Sequence, residues 1–238
     1  VRAILFDIDS PGGAVDGTLE LAREIYSARG QKPMAALGDG LMASAAVWIG
    51  LAADETYLNA DTDRAGSIGV VTVHREASKW YEGAGITNTV IAAGKYKAVG
   101  NQYEPLTKEG KKVIQDELDY VYSLFVGDVA AFRGVSIETV LENMADGRVF
   151  TGAQAVSAGL VDGVRSRREV IAGLLERAAN HKPGVNAQKV GGVRMDMETL
   201  RAEHPDLAAA LIEEGRAAGF AEGKAAGIEE GRGLGAEA

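Results

Sequence analysis

Two strand-turn-helix units, packed into the opening of the chain, constrain its fold more than any other feature. Val1 to Asp9 reads as a strand, Ser10-Pro-Gly-Gly13 as a tight turn, and Ala14 to Arg29 as a helix with Leu19, Ala22, Ile25 and Tyr26 on one side. Pro33 to Leu37 then reads as a second strand, Gly38-Asp-Gly40 as a turn, Leu41 to Ala53 as an apolar helix, and Glu55 to Leu58 as a third strand. Strands that alternate with helices build a parallel sheet covered by helices, so an α/β architecture is expected.

Ala65-Gly-Ser-Ile-Gly69 is a glycine-bracketed turn before a strand over Val70 to Val73, followed by a helix over Glu76 to Ala84 and a strand over Thr87 to Ala92. Gly94-Lys-Tyr-Lys97 lies just beyond that strand. A long helix capped by Thr107 is expected to reach Arg133, since Val113, Leu118, Val121, Leu124, Phe125 and Val129 recur at helical spacing. Ser136 to Met144 and Gly152 to Ala158 read as short helices around Gly147-Arg-Val-Phe150, and Leu160-Val-Asp-Gly163 closes the compact part. The compact domain is expected over 1–178, a polar linker rich in Gly and Pro over 179–198, and a helical or disordered tail over 199–238. In that tail an eight-residue Glu-Gly-(Arg/Lys) repeat starts at Glu214, Glu222 and Glu230.

An apolar fraction of 46% with 25% charged residues is that of a soluble globular protein. The net charge of −9 argues against a nucleic-acid partner, because a phosphate backbone would be repelled. Cysteine is absent, which removes disulfides, thiolate metal sites and a cysteine nucleophile. Leu41 to Ala53 is the longest apolar stretch and falls short of the roughly 20 residues a membrane span needs. No signal peptide is visible. The chain opens inside a strand without an initiator Met, so the natural protein is expected to extend upstream, which leaves an upstream membrane anchor open.

The candidate chemistry is narrow. Of three histidines, His181 and His204 lie in the linker and tail, leaving only His74 for a Ser-His-Asp arrangement, and a lone His after an apolar strand is more often structural. Ser44 is the only hydroxyl in its apolar helix, sits in the first turn among Ala43, Ala45 and Ala46, and lies where free helix N–H groups can stabilise an oxyanion. Taken alone, such a serine is more often a cap than a nucleophile. The Pro-Gly-Gly turn adds context, because it ends a parallel strand where α/β sheets place ligands and its glycines can expose backbone N–H groups. A serine also needs a base, and a lysine desolvated between apolar walls, as Lys97 could be, can lose its proton near neutral pH. Most lysines are solvated surface groups, and Lys95 beside it is the natural comparison. The small residues around Ser44 point to a narrow pocket for Ala or another small apolar side chain.

Five ordered segments, Asp9-Ser-Pro-Gly-Gly13, Gly38-Asp-Gly-Leu-Met-Ala-Ser44-Ala45, Ala65-Gly-Ser-Ile-Gly-Val70, Gly94-Lys-Tyr-Lys97, and Gly147 to Ala155 followed by Gly159-Leu-Val-Asp162, resemble the signal peptide peptidase A type of serine peptidase. The resemblance covers roughly residues 1 to 165 and implies a ClpP/crotonase-like fold. It implies Ser44 as nucleophile, Lys97 as general base, the Gly13 and Ala45 N–H groups as oxyanion hole, and the Ser67 hydroxyl as the group that orients the Lys97 amine. It implies no metal or organic cofactor, a polypeptide substrate, and a homo-oligomer in which a neighbour can complete the cleft. The chain departs from cellular members in Ala45-Ala46-Val47-Trp48, where they carry a small residue and a glycine after the nucleophile.

The stretch His74-Arg-Glu-Ala-Ser-Lys-Trp80 and the glycine-repeat tail look more like the phage-encoded branch. On that resemblance the enzyme processes capsid, portal or scaffold proteins during prohead maturation, works in the host cytoplasm or the prohead, and uses its tail to hold capsid or scaffold protein. The alternatives are a bacterial peptidase that degrades signal peptides, a catalytically inactive scaffold or assembly protein, and a crotonase-type acyl-CoA enzyme.

Overall fold

The computed structural model describes residues 1–181; the tail expected over 199–238 and most of the linker expected over 179–198 lie outside the described residues. Strand β1 (Ile4–Ser10) leads through the Pro-Gly-Gly turn to helix α1 (Thr18–Ser27), then β2 (Met34–Ala43), α2 (Ala45–Leu51) and β3 (Glu55–Leu58). Next come β4 (Arg64–Gly66), α3 (Ser78–Gly83), α4 (Lys108–Arg133), α5 (Ile137–Asn143), β5 (Val149–Thr151), α6 (Gly152–Ser157), β6 (Gly163–Val164) and α7 (Arg167–Asn180).

One sheet runs in the order β5-β4-β2-β3-β6, with β1 also paired to β2. Its pairs are parallel except β4 with β5, so the expected parallel sheet is a mixed one. The antiparallel addition arises where Gly147-Arg-Val-Phe150 was expected only to join two helices. There Ala65 faces Phe150, and the Ser67 N–H donates to the Arg148 carbonyl at 2.7 Å.

β2 is the central strand, and its side chains alternate between two apolar layers. Ala35 and Leu37 pack with Tyr57 and with Val170 and Leu174 of α7, while Ala36 and Met34 pack with Ala53 on the other face. That second side continues into the largest apolar cluster, in which α1, α2, α4 and α5 bring Ala22, Val47, Trp48, Phe125, Val129, Val140 and Met144 together. Helices thus cover both faces, as the α/β reading expects. Beyond Gly163, α7 buries one side of β2.

The helix boundaries follow local chemistry. Thr107 accepts the Gly110 N–H at 3.0 Å to start α4, and Gly134 ends that helix in the left-handed region at φ 66. Ser136 caps α5, and Ser166 with Glu169 forms a reciprocal capping box on α7. α1 begins at Thr18, after Gly17 at φ 79, rather than at Ala14. Inside the fold, Asp128 of α4 accepts hydrogen bonds from the Trp48 indole at 3.0 Å and from Arg23 at 2.9 Å, tying α4 to α2 and α1. Burial pushes the Asp128 carboxyl above its ordinary range while these two donors pull it back.

Two expectations are corrected. Gly38-Asp-Gly40 is not a turn and Leu41 does not begin a helix, since β2 runs on through Ala43 and pairs Leu41, Met42 and Ala43 with β4. Periodicity cannot separate a strand from a helix in a short run of small apolar residues, so the pairing partner decides. The strands expected over Val70 to Val73 and Thr87 to Ala92 are also absent from the sheet. Val71, Val73 and Ile91 stand 85%, 83% and 91% exposed, so this apolar pattern has no matching edge among the described residues.

Candidate active site

Ser44 occupies the junction between β2 and α2, one residue before the helix rather than inside its first turn. Its backbone sits at φ 54, ψ −124, a conformation that L residues rarely adopt, and its hydroxyl makes no capping hydrogen bond. The junction is locked from both sides. The Ser44 N–H donates to Gly66 of β4 at 2.9 Å, and the Ser44 carbonyl accepts the N–H groups of Val47 at 2.9 Å and Trp48 at 3.1 Å. A serine whose backbone is held strained and whose hydroxyl has no capping partner is a poor structural cap and a well-presented nucleophile.

The Pro-Gly-Gly turn lies directly against this junction. Gly12 stands at φ 110, and a side-chain carbon on it would come within 2.6 Å of Ser44 Cβ and 2.9 Å of the Ala43 carbonyl. Only glycine fits there. The Gly12 N–H donates to Ser10 Oγ at 3.2 Å, whereas the Gly13 and Ala45 N–H groups donate to no acceptor among the described residues. These last two are the donors that the resemblance names, and they line one open cavity of about 450 Å³ with Ile8, Ala46 and Ile49. Of the residues next to Ser44, Ala45 and Ala46 contribute only small side chains to the cavity's lining.

Ser67 follows β4 and is, among the described residues, the other non-glycine residue with positive φ, at 53. Its backbone is anchored beside that of Ser44 through the neighbouring Gly66. Lys97 lies apart, on the stretch between α3 and α4, with its side chain exposed and no hydrogen bond to Ser44 or Ser67 among the described residues. Lys95 differs sharply. It pairs with Glu109 at 2.7 Å and lies 4.8 Å from the Tyr96 ring centroid, and Glu109 and Tyr96 together hold its ammonium well above the ordinary lysine value. His74 is occupied too, its Nε2 donating to the Asn101 carbonyl at 2.9 Å.

Sequence reasoning passed over the device that aligns these parts. Between Ile8 facing Gly38 and Ser10 facing Met42, the single residue Asp9 of β1 stands against Asp39, Gly40 and Leu41 of β2. This bulge is where β2 leaves β3 for β4. Asp39 is held by Arg167 at 2.6 Å and by the Asn59 amide at 3.0 Å, and Arg167 also pairs with Asp7. The signal was present in Gly38-Asp-Gly40, whose glycines mark a bulge as readily as a turn. The Gly159-Leu-Val-Asp162 segment has a structural part: Asp162 accepts the Thr56 N–H at 2.7 Å and pairs with Arg133 at 2.9 Å.

The sequence profile of peptidase family S49 matches residues 27–181. Head-tail preconnector protein GP5 of Enterobacteria phage P21 is 37% identical over 162 residues, which are 68% of this chain and 32% of that protein. Capsid assembly protease C of Escherichia phage lambda is 32% identical over 199 residues, 84% of this chain and 44% of that protein. The chain therefore matches about a third to under half of the length of these relatives. Among solved structures, a ClpP1 variant from Listeria monocytogenes is 16% identical with a TM-score of 0.44, over 71% of this chain and 77% of that one. Because the matched range reaches from the end of α1 to just past α7, over well more than half of the sequence, this chain belongs to peptidase family S49.

Proposed function

We propose that this chain is the catalytic part of a serine endopeptidase that uses Ser44 as nucleophile and Lys97 as base. The observation that carries the reading is Ser44 itself, strained at φ 54, uncapped, and next to the unengaged N–H groups of Gly13 and Ala45. In the reaction Ser44 Oγ bonds to the scissile carbonyl carbon as its proton passes to Lys97 Nζ, and the oxyanion is held by the Gly13 and Ala45 N–H groups. The C–N bond then breaks, Lys97 returns the proton to the leaving amine, and water attacks the acyl-enzyme with Lys97 again accepting a proton. The Ser67 hydroxyl orients the Lys97 amine. The side chain of the residue that supplies the carbonyl enters the cavity over Ile8, Ala46 and Ile49.

The substrate is a polypeptide, and its class is a phage capsid, portal or scaffold protein. The names of the two phage relatives, one a head-tail preconnector protein and one a capsid assembly protease, support this. The enzyme works as a homo-oligomer. Val71 and Val73 before α3, Trp80 in α3 and Ile91 after it are exposed on the segment between β4 and α4 that also carries Lys97, so a second copy covering that segment would bury apolar surface and strip water from the base together. Residues 182–238 act as a tether to capsid or scaffold protein. A chain ended after residue 181 should keep its peptidase activity and be depleted from proheads; equal entry of the shortened and full chains removes the tether.

The test of the activity is cleavage of casein and of the cognate scaffold by the parent and by Ser44→Ala, with a fluorophosphonate probe in parallel. Expected are cleavage and a single covalent adduct on Ser44 in the parent and neither in the variant. A folded parent that cleaves no more than Ser44→Ala moves the assembly-protein reading ahead.

A further inference from the structure

We infer that Asp9 is a positioning residue for the oxyanion hole, an inference that rests on the serine peptidase reading of Ser44. Asp9 Oδ1 accepts the Leu41 N–H at 3.1 Å, across the bulge in which Asp9 alone opposes three residues of β2. Its carboxylate also fills the space beside Gly40, where a side-chain carbon would lie 2.9 Å from Asp9 Oδ1 and where φ is 99. Asp9 therefore closes the bulge from the β1 side, while Arg167 and Asn59 hold Asp39 of the same bulge by its carboxylate.

The bulge sets where both halves of the site end up. Past it, β1 is re-registered so that Ser10 faces Met42, and the next residues of each strand are the Pro-Gly-Gly turn and Ala43-Ser44-Ala45. The contact of Gly12 with Ser44, tight enough to forbid any side chain, leaves no slack between them. If the Asp9 acceptor is removed, the register relaxes, and the Gly13 N–H moves relative to Ala45 and to the Ser44 hydroxyl. Donors and nucleophile displaced by about 1 Å cost on the order of 100-fold in rate, while substrate binding along the remaining cleft is little changed.

Asp9→Ala in the full chain should lower kcat by about 100-fold and leave KM within about threefold. Asp9→Asn retains an oxygen that can accept the Leu41 N–H and should recover kcat to within about fivefold of the parent. Amide hydrogen exchange read at Leu41 should speed up in Asp9→Ala and not in Asp9→Asn, which follows the bulge independently of activity. Full kcat in Asp9→Ala, an equal loss in the Asn variant, or unchanged Leu41 exchange overturns the role of Asp9 while Ser44-dependent cleavage stands. A parent no more active than Ser44→Ala overturns the peptidase reading and takes the positioning role with it.

Discussion

Lys97→Ala is expected to lower kcat by about 10³-fold or more, and Lys95→Ala to leave it within about twofold. The two lysines are separated by one tyrosine, so any effect of local charge would strike both alike; the difference lies in what each side chain already does. Lys95 is held by Glu109 at 2.7 Å and by the face of Tyr96, and both neighbours favour its charged form. A lysine engaged in this way is the poorer candidate for the base that takes the Ser44 proton. Lys97 is exposed and has no ion-pair partner among the described residues, so no carboxylate competes for its amine there. Cleavage by Lys97→Ala at the parent rate, or loss in Lys95→Ala with Lys97 intact, would reverse the assignment. Melting temperature and sedimentation of each variant separate a lost base from a lost assembly.

Arg29→Ala should reduce folding stability by about 3 kcal/mol, a fall in melting temperature of roughly 6–12 °C, with kcat preserved at temperatures where the variant is folded. The guanidinium of this one residue donates to Leu51 at 2.8 Å, Ala52 at 3.0 Å and Ala53 at 2.6 Å, which are the free carbonyls at the end of α2, and to Phe132 of α4 at 3.2 Å. It also lies 4.4 Å from the centre of the Tyr26 ring. Removing it strands several half-buried acceptors at once, and leaving an acceptor unpaired costs more than an average hydrogen bond contributes. Arg29→Lys should recover only a minor part, since a single ammonium cannot span four carbonyls around a planar fork. A melting temperature within 2 °C of the parent in Arg29→Ala would show that water replaces the guanidinium at these carbonyls without penalty.

What the residues alone determine is local. The Thr107 cap and Gly134 stop of α4, the alternation of strands with helices, and the exclusion of thiol chemistry follow from side-chain geometry and composition within a few positions of each residue. Ser44 and Gly13 are legible for the same reason, as a hydroxyl among alanines and a glycine pair after a strand. The tertiary structure decides whatever depends on a partner distant in sequence. Leu41 to Ala43 is strand because β4 is there to accept it, and Val70 to Val73 is not because no edge is. The same holds for Gly147 to Phe150, which becomes an antiparallel strand only against Ala65. Gly38-Asp-Gly40 is written like a turn, and the carboxylate of Asp9 across the sheet makes it a bulge. The distinction between Lys95 and Lys97 has no trace in local pattern, because it rests on Glu109, a residue of another element that reaches only one of them.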